Sequence, residues 1–230
     1  MPTPEEIIID RRFRGPPNSG NGGYVAGYLA SFLDGPAEVT LRLPPPLDTP
    51  LQVSRRSQEE MELRTSGQLV AHAVRTELDL QPPSVSYEDA VRAARPAENH
   101  PFPMCFVCGP ERADGLRILP GLVAGKELIA APWTPGYDLA VADEVLPQFV
   151  WAALDCPGGL AWLDAAAGQP FVLGRLAVKL VSPVVAEERY VALGWQVGRD
   201  GRKLFSRTAL IHVSGRVCGV GAATWFLVQN

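Results

Sequence analysis

One apolar stretch of about a helix's length, followed by a run of strand-like segments, occurs twice in this chain. That order limits what it can fold into. Residues 24–33 are apolar on most sides (Val25, Tyr28, Leu29, Phe32), as a well-buried helix is. Before them, Ile7, Ile8 and Ile9 form a β-branched run that predicts a strand. After them, Val39, Leu41 and Leu43 alternate like a half-buried strand, and residues 51–56, 60–64 and 68–78 complete four strands, with a turn at Ser66-Gly67. The second half repeats the pattern. Residues 116–119 and 127–131 predict short strands, residues 146–155 a helix with Pro147 in its first turn, and residues 171–181, 190–197, 204–213 and 217–228 long strands. Between the halves, Gln81-Pro82-Pro83, Arg95-Pro96 and His100-Pro101-Phe102-Pro103 break any regular ladder. Residues 81–104 therefore read as a linker, with room for one short helix over 87–94 capped by Ser86.

The halves look like copies. Leu41-Arg42-Leu43-Pro44-Pro45-Pro46 aligns with Val178-Lys179-Leu180-Val181-Ser182-Pro183, and the turn at Ser66-Gly67 with Ser214-Gly215. The offset grows along the chain, as loop insertions in one copy would make it. One helix and a run of strands, twice, predicts an α+β protein. The 22 Gly and 22 Pro punctuate these elements rather than forming a low-complexity tract.

Charge excludes some partners. Twenty-one basic and 25 acidic residues leave a net charge of −4, with no bulk attraction for nucleic acid or anionic lipid. No apolar run approaches the roughly 20 residues that span a bilayer. Met1-Pro2-Thr3-Pro4-Glu5-Glu6 has neither the basic head nor the apolar stretch of a signal peptide, so the expected location is the cytoplasm. The four cysteines are then expected as thiols.

Three stretches carry candidate chemistry. The loop from Gly15 to Tyr24, with Asn18, Ser19, Asn21, Gly22 and Gly23, delivers free backbone N–H groups to a helix start. Those groups can polarise a carbonyl or hold an anion. No Gly-Lys-Ser/Thr follows, and the dinucleotide pattern fails at Val25. A helix cap with close helix-on-sheet packing would use the same residues. The second stretch is Trp151-Ala152-Ala153-Leu154-Asp155, which puts an acid at the end of an otherwise apolar helix. A carboxylate there meets the negative end of the helix dipole. It is either a base or nucleophile, or the cap of a second short helix beginning at Cys156-Pro157. The third is Cys105-Phe106-Val107-Cys108-Gly109, whose spacing suits zinc or redox chemistry. A second cysteine pair is missing, Cys156 and Cys218 stand alone in the sequence, and His100 is the only nearby third ligand. No metal and no cofactor is therefore expected. His72 and His212 fall in predicted strands and read as packed or sheet-face residues. No Gly-x-Ser-x-Gly elbow exists.

The glycine pair and the acid together resemble the hotdog acyl-CoA thioesterases, including the phenylacetate-pathway type. These carry His-Gly-Gly at a helix start and an Asp or Glu nine residues after the His. Here Asn21-Gly22-Gly23 looks like that motif with Asn for His, but the position nine residues on is Ala30. The second helix has the acid, Asp155, but Leu146-Pro147-Gln148 where the glycines should be. The run from Cys105 to Gly109 leading to Gly115-Leu116 also resembles the opening of single-domain hotdog thioesterases, and dates a second unit to about residue 105.

The resemblance implies a double hotdog: two curved antiparallel sheets, each wrapping a central helix, over residues 1–80 and 105–230. Nine helical residues span roughly 13 Å, so the glycines and the acid must come from two antiparallel helices to share one site. Gly22 or Gly23 would then hold the thioester carbonyl, Asp155 would activate water or attack directly, and Asn21 would orient the carbonyl or the water. Asn18 would assist, and the acyl group would lie between the helices among Tyr24, Tyr28, Trp151 and Leu154. The implied ligand is an acyl-CoA, and a pairing of two such chains is left open. A non-catalytic acyl-CoA or lipid-binding protein on the same fold is the alternative.

Overall fold

The computed structural model describes residues 5–98, 100–166 and 169–228. The first half contributes β1 (Glu5–Ile8), α1 (Gly22–Ala30), β2 (Ala37–Leu41), β3 (Pro50–Ser57), β4 (Glu60–Thr65) and β5 (Gln68–Arg75). A short helix, α2 (Tyr87–Ala93), follows; the Ser86 side chain caps it by accepting the Asp89 N–H. The second half contributes β6 (Gly121–Leu122), β7 (Ile129–Trp133), β8 (Ala140–Val141), β9 (Glu144–Val145) and α3 (Pro147–Leu160). It ends with β10 (Phe171–Leu180), β11 (Tyr190–Asp200), β12 (Lys203–His212) and β13 (Val217–Leu227).

Two separate curved sheets, one per half, were expected; among the described residues the structure instead joins both halves in a single eleven-stranded sheet, beside a small two-stranded ladder of β8 and β9. Eleven strands run in the order β1-β3-β4-β5-β2-β10-β13-β12-β11-β7-β6. The joint is β2 with β10, antiparallel, with Thr40 opposite Arg175 and Ala37 opposite Val178. An unpaired strand edge is a row of unsatisfied N–H and C=O groups, and each half satisfies the other's edge. Outward from this joint, β2, β5, β4, β3 and β1 mirror β10, β13, β12, β11 and β7. The aligned segments after β2 and β10, and the Ser66-Gly67 and Ser214-Gly215 turns, occupy equivalent places in the two series. Ser66 and Gly67 both have positive φ (46° and 79°), the backbone of a two-residue hairpin turn.

Both α1 and α3 pack against the sheet and against each other. The first lies on β2, β4, β5 and β10, the second on β7 and β10 to β13. Their mutual contact is antiparallel: Gly23 faces Trp151, Ala152 and Asp155, and Gly27 faces Gln148 and Trp151. A Cβ on Gly27 would stand 2.8 Å from the Gln148 Cα, well inside contact distance. The helices are this close because two glycines one turn apart present bare backbone.

Two sequence expectations fail locally. Helix α3 does not end at Asp155 but continues to Leu160 through Pro157. Proline removes one bond of the helical ladder, yet the next turn is held by packing on the sheet. Gly158 sits against Ser206 and Thr208, and Gly159 against the Trp225 ring. Residues 116–119 are not a strand. Arg117 has a φ of 54°, which breaks an extended run. The Leu116 and Ile118 N–H groups instead donate to the Phe106 and Val107 carbonyls. Among the described residues no helix is long and apolar enough to cross a membrane.

In an open helix, Gly→Ala would gain up to about 1 kcal/mol of helix propensity. At Gly27 the sign is expected to reverse, because overpacking costs about 1–3 kcal/mol. Urea unfolding of Gly27→Ala beside the wild type measures this; a midpoint at or above the wild type's would show that the helices are not in close contact.

Candidate active site

The loop before α1 is held from both sides. Asn21 N–H donates to the Phe13 carbonyl, Gly20 N–H to the Pro45 carbonyl, and Gly15 N–H to the Ser19 carbonyl. This fixes Asn21 as the N-cap of α1, with its Oδ1 accepting the Tyr24 N–H at 2.9 Å. The Asn21 Nδ2 points the other way, to the Oδ2 of Asp155 at 3.1 Å. Gly23 N–H donates to the same oxygen at 2.8 Å. Asp155 therefore caps neither its own helix nor a second short one. It caps α1, from across the helix pair.

The Asp155 carboxyl is 1% exposed. Its Oδ1 is buried and has no hydrogen-bond partner among the described residues. Burial pushes the group up to about 7; the Gly23 N–H and the Asn21 amide, which favour the ionised form, oppose this without cancelling it. Gly22 N–H, the first of the helix, has no partner among the described residues, as the first N–H groups of a helix lack intrahelical acceptors.

A cavity of about 420 Å³ reaches these groups. Its walls include Leu41, Leu43, Phe171, Leu173, Trp225 and Phe226, so they come mainly from β10, β13 and the chain leaving β2. Asn21, Gly22 and Asp155 line its polar end. Cys105, Cys108, Cys156 and His100 line it as well. Arg42 lines it too and is exposed; among the described residues it forms no ion pair.

No protein-family model matches the sequence, and no curated protein matches it. Solved structures do match the fold. A candidate thioesterase of Novosphingobium aromaticivorans is 14% identical, over 97% of this chain and 95% of its own, with a TM-score of 0.64. The acyl-CoA thioesterase II of Mycobacterium marinum is 12% identical over 98% and 93%, with a TM-score of 0.58. A conserved protein of unknown function with a hotdog fold, from Alicyclobacillus acidocaldarius, is 9% identical over 98% and 93%, at 0.58. The chain has the hotdog fold.

Within this hotdog chain, the sequence-predicted residues divide into two groups. Asn21, Gly22, Gly23 and Asp155 come together, as the antiparallel helix argument requires. Gly23, however, is not free to hold a carbonyl, because Asp155 occupies its N–H. The predicted ligand-binding residues Asn18, Tyr24, Tyr28 and Trp151 do not line the cavity. Asn18 is exposed. Tyr24 stacks on Phe13 at 4.3 Å between centroids, and its burial pushes the hydroxyl up to about 12. Tyr28 packs by Phe32. Trp151 is spent on the contact with Gly27. The helices approach too closely to leave a channel between them, so the cavity lies between their polar ends and the sheet. His72 and His212 are strand residues outside the cavity, near Glu60 and Glu188 respectively.

Sequence reasoning set Cys156 apart. The structure corrects this: its Sγ lies 3.8 Å from that of Cys105 and 3.7 Å from the Asn21 Nδ2. Hydrogen bonds from the Cys108 and Cys156 thiols hold the Cys105 thiol well below the ordinary cysteine range. The usable signal was the adjacency of Cys156 to Asp155, which puts it near the same helix start.

Removing the Asn21 side chain with Asn21→Ala is expected to cost about 1 kcal/mol or more, as lost N-caps do. Asn21→Ser retains a capping oxygen and should recover most of that loss, though not the donation to Asp155. Equal midpoints for both variants in urea unfolding would show that the cap contributes nothing.

Proposed function

We propose that this chain hydrolyses acyl-CoA thioesters at a single site, and that it is a double hotdog with units over residues 1–80 and 105–230 joined by residues 81–104. The observation that carries the reading is Asp155. A buried carboxylate from one helix is held by one oxygen on the start of another helix, with its second oxygen unpaired and an apolar cavity beside it. The mirrored strand order supports the two-unit reading. The second helix start has Pro147 and Gln148 in place of glycines, and Ala30 in place of the acid, so the equivalent site lacks both partners.

The acyl group lies against Leu41, Phe171, Leu173 and Trp225, with its carbonyl oxygen at the Gly22 N–H. Asp155 Oδ1 takes a proton from water as the water oxygen bonds to the carbonyl carbon. The oxyanion that forms is held by the Gly22 N–H and the positive end of the α1 dipole. Asp155 Oδ2 stays on Gly23 and Asn21, which fixes the carboxylate's orientation. The C–S bond then breaks, and the leaving thiolate receives the proton that Asp155 took. The products are a carboxylic acid and a free thiol. Asn21 has no proton to give, so Asp155 acts in both directions.

One observation favours the alternative, a non-catalytic acyl-CoA binder: the Gly23 N–H is already occupied, so the carboxylate has a structural role whatever else it does. Thiol release from a panel of acyl-CoAs separates the two. Wild type should turn over, and Asp155→Asn, which keeps an oxygen for Gly23, should lose about 100-fold or more in kcat while remaining folded. Acyl-CoA binding with no thiol release by the wild type would overturn hydrolysis in favour of the binder. Turnover unchanged in Asp155→Asn would remove Asp155 from the mechanism.

Arg42, exposed at the cavity, is positioned for a CoA phosphate. Arg42→Glu is expected to raise KM for acyl-CoA about 10-fold, roughly the 1.4 kcal/mol of a charged contact. With a short thioester that lacks the nucleotide, KM should not change. Equal effects on both substrates would take Arg42 out of nucleotide recognition.

A further inference from the structure

Three cysteines from two distant parts of the chain meet at the polar end of the cavity. The Sγ atoms of Cys105, Cys108 and Cys156 all lie within 4.8 Å of one another, and all three residues are buried. Tetrahedral zinc, with Zn–S bonds of about 2.3 Å, places its sulfurs about 3.8 Å apart. The Cys105–Cys156 separation is 3.8 Å. One edge of the triangle thus has the length that one zinc ion requires, and the other two are no longer than 4.8 Å.

The chain turns tightly at the cluster: Gly109 N–H donates to the Cys105 carbonyl, and a Cβ on Gly109 would stand inside contact distance of the Cys105 and Pro103 backbone. His100 Nδ1 accepts the Phe102 N–H at 3.0 Å. Its Nε2 then carries the proton and faces the Cys108 sulfur at 3.3 Å. The Asn21 Nδ2 has two hydrogens. One goes to Asp155 Oδ2, and the sulfurs of Cys156 and Cys105 lie at 3.7 and 3.9 Å from the same nitrogen. Each sulfur therefore has an N–H group near it, the outer arrangement that orients and stabilises metal-bound thiolates.

We propose that Cys105, Cys108 and Cys156 bind one zinc ion, with His100 and Asn21 as N–H groups facing the sulfurs. Binding releases the protons of whichever of the three thiols are protonated, and gives a zinc ion on three thiolates. Three protein ligands leave a fourth position, which water from the cavity fills. The ion ties residues 100–109 to α3 and to the start of α1, and so holds the wall of the cavity in place. This assignment is independent of thioester hydrolysis, and its test reads metal rather than turnover.

The full-length chain, purified under reductant and loaded with zinc, is expected to retain about one zinc per chain after desalting. Cobalt(II) in its place should give the intense near-ultraviolet absorption of thiolate-to-cobalt charge transfer. Cys105→Ser and Cys156→Ser should each lower retained zinc by about 10-fold or more, whereas Cys218→Ser, whose thiol lies outside the cluster, should keep it. A folded wild type that retains no zinc and gives no thiolate–cobalt band would overturn the proposal without reference to any variant. So would zinc retained equally by folded Cys105→Ser and Cys156→Ser. Loss of two titratable thiols with no metal, the mark of a Cys105–Cys156 disulfide, would overturn it as well.

Discussion

The carboxylate of Asp155 is out of water, and the rest of the site is arranged around that fact. Burying an ionised carboxylate costs several kcal/mol even after the protein relaxes. Two N–H donors on a single oxygen, together with the positive end of a helix dipole, offset part of that cost. They can do so only because α1 and α3 touch backbone to backbone. Gly23 sits where any side chain would displace Asp155 or the Trp151 carbonyl. Gly27, one turn on, keeps the same approach along the helix pair. The glycines therefore serve the acid through packing, and the acid serves α1 by accepting the Gly23 N–H, which the Asn21 cap leaves unpaired.

The joint between β2 and β10 sets which helix ends can meet. Pairing the two halves edge to edge, antiparallel, lays α1 and α3 side by side in opposite directions. Two equivalent sites would follow if the halves were identical. They are not: the glycine pair stays with α1 and the acid with α3. At the other end, Ala30 and Pro147 offer neither a carboxylate nor two free N–H groups. At that second helix start Pro147 is a first-turn residue, a place where its missing N–H costs no helical bond.

What was legible in the sequence follows the range of the interactions involved. Strands β11, β12 and β13 were readable because each is long and bounded by local turn residues. The Ser66-Gly67 turn was readable for the same reason. The end of α3 was not, because Pro157 is a local stop signal that packing on Ser206 and Trp225 overrides. Residues 116–119 read as a strand because their apolar pattern is right, yet the positive φ at Arg117 turns them onto Phe106 and Val107. At the candidate site, the meeting of Asn21, Gly22, Gly23 and Asp155 was legible through a resemblance and the geometry of a helix. The cavity walls were not legible, because they come from strands far apart in sequence. The Cys156 partnership was hidden too, since 51 residues separate it from Cys105.

Asn21 is where these features meet. As the cap of α1 it needs an acceptor oxygen; beside Asp155 it needs a donor; beside the cysteine sulfurs a second donor hydrogen is of use. A primary amide is the one small side chain that supplies an oxygen and two N–H groups together. A histidine at this place would give at most one N–H and one acceptor nitrogen while neutral, and would bring a positive charge when protonated. With a carboxylate on one side and the sulfurs of Cys105 and Cys156 on the other, the position asks for hydrogen-bond capacity more than for a titrating group. The departure of this residue from the resembled motif is thus accounted for by its neighbours: the cysteines of residues 105–108 and the helix end at 155–156, both held against the same loop.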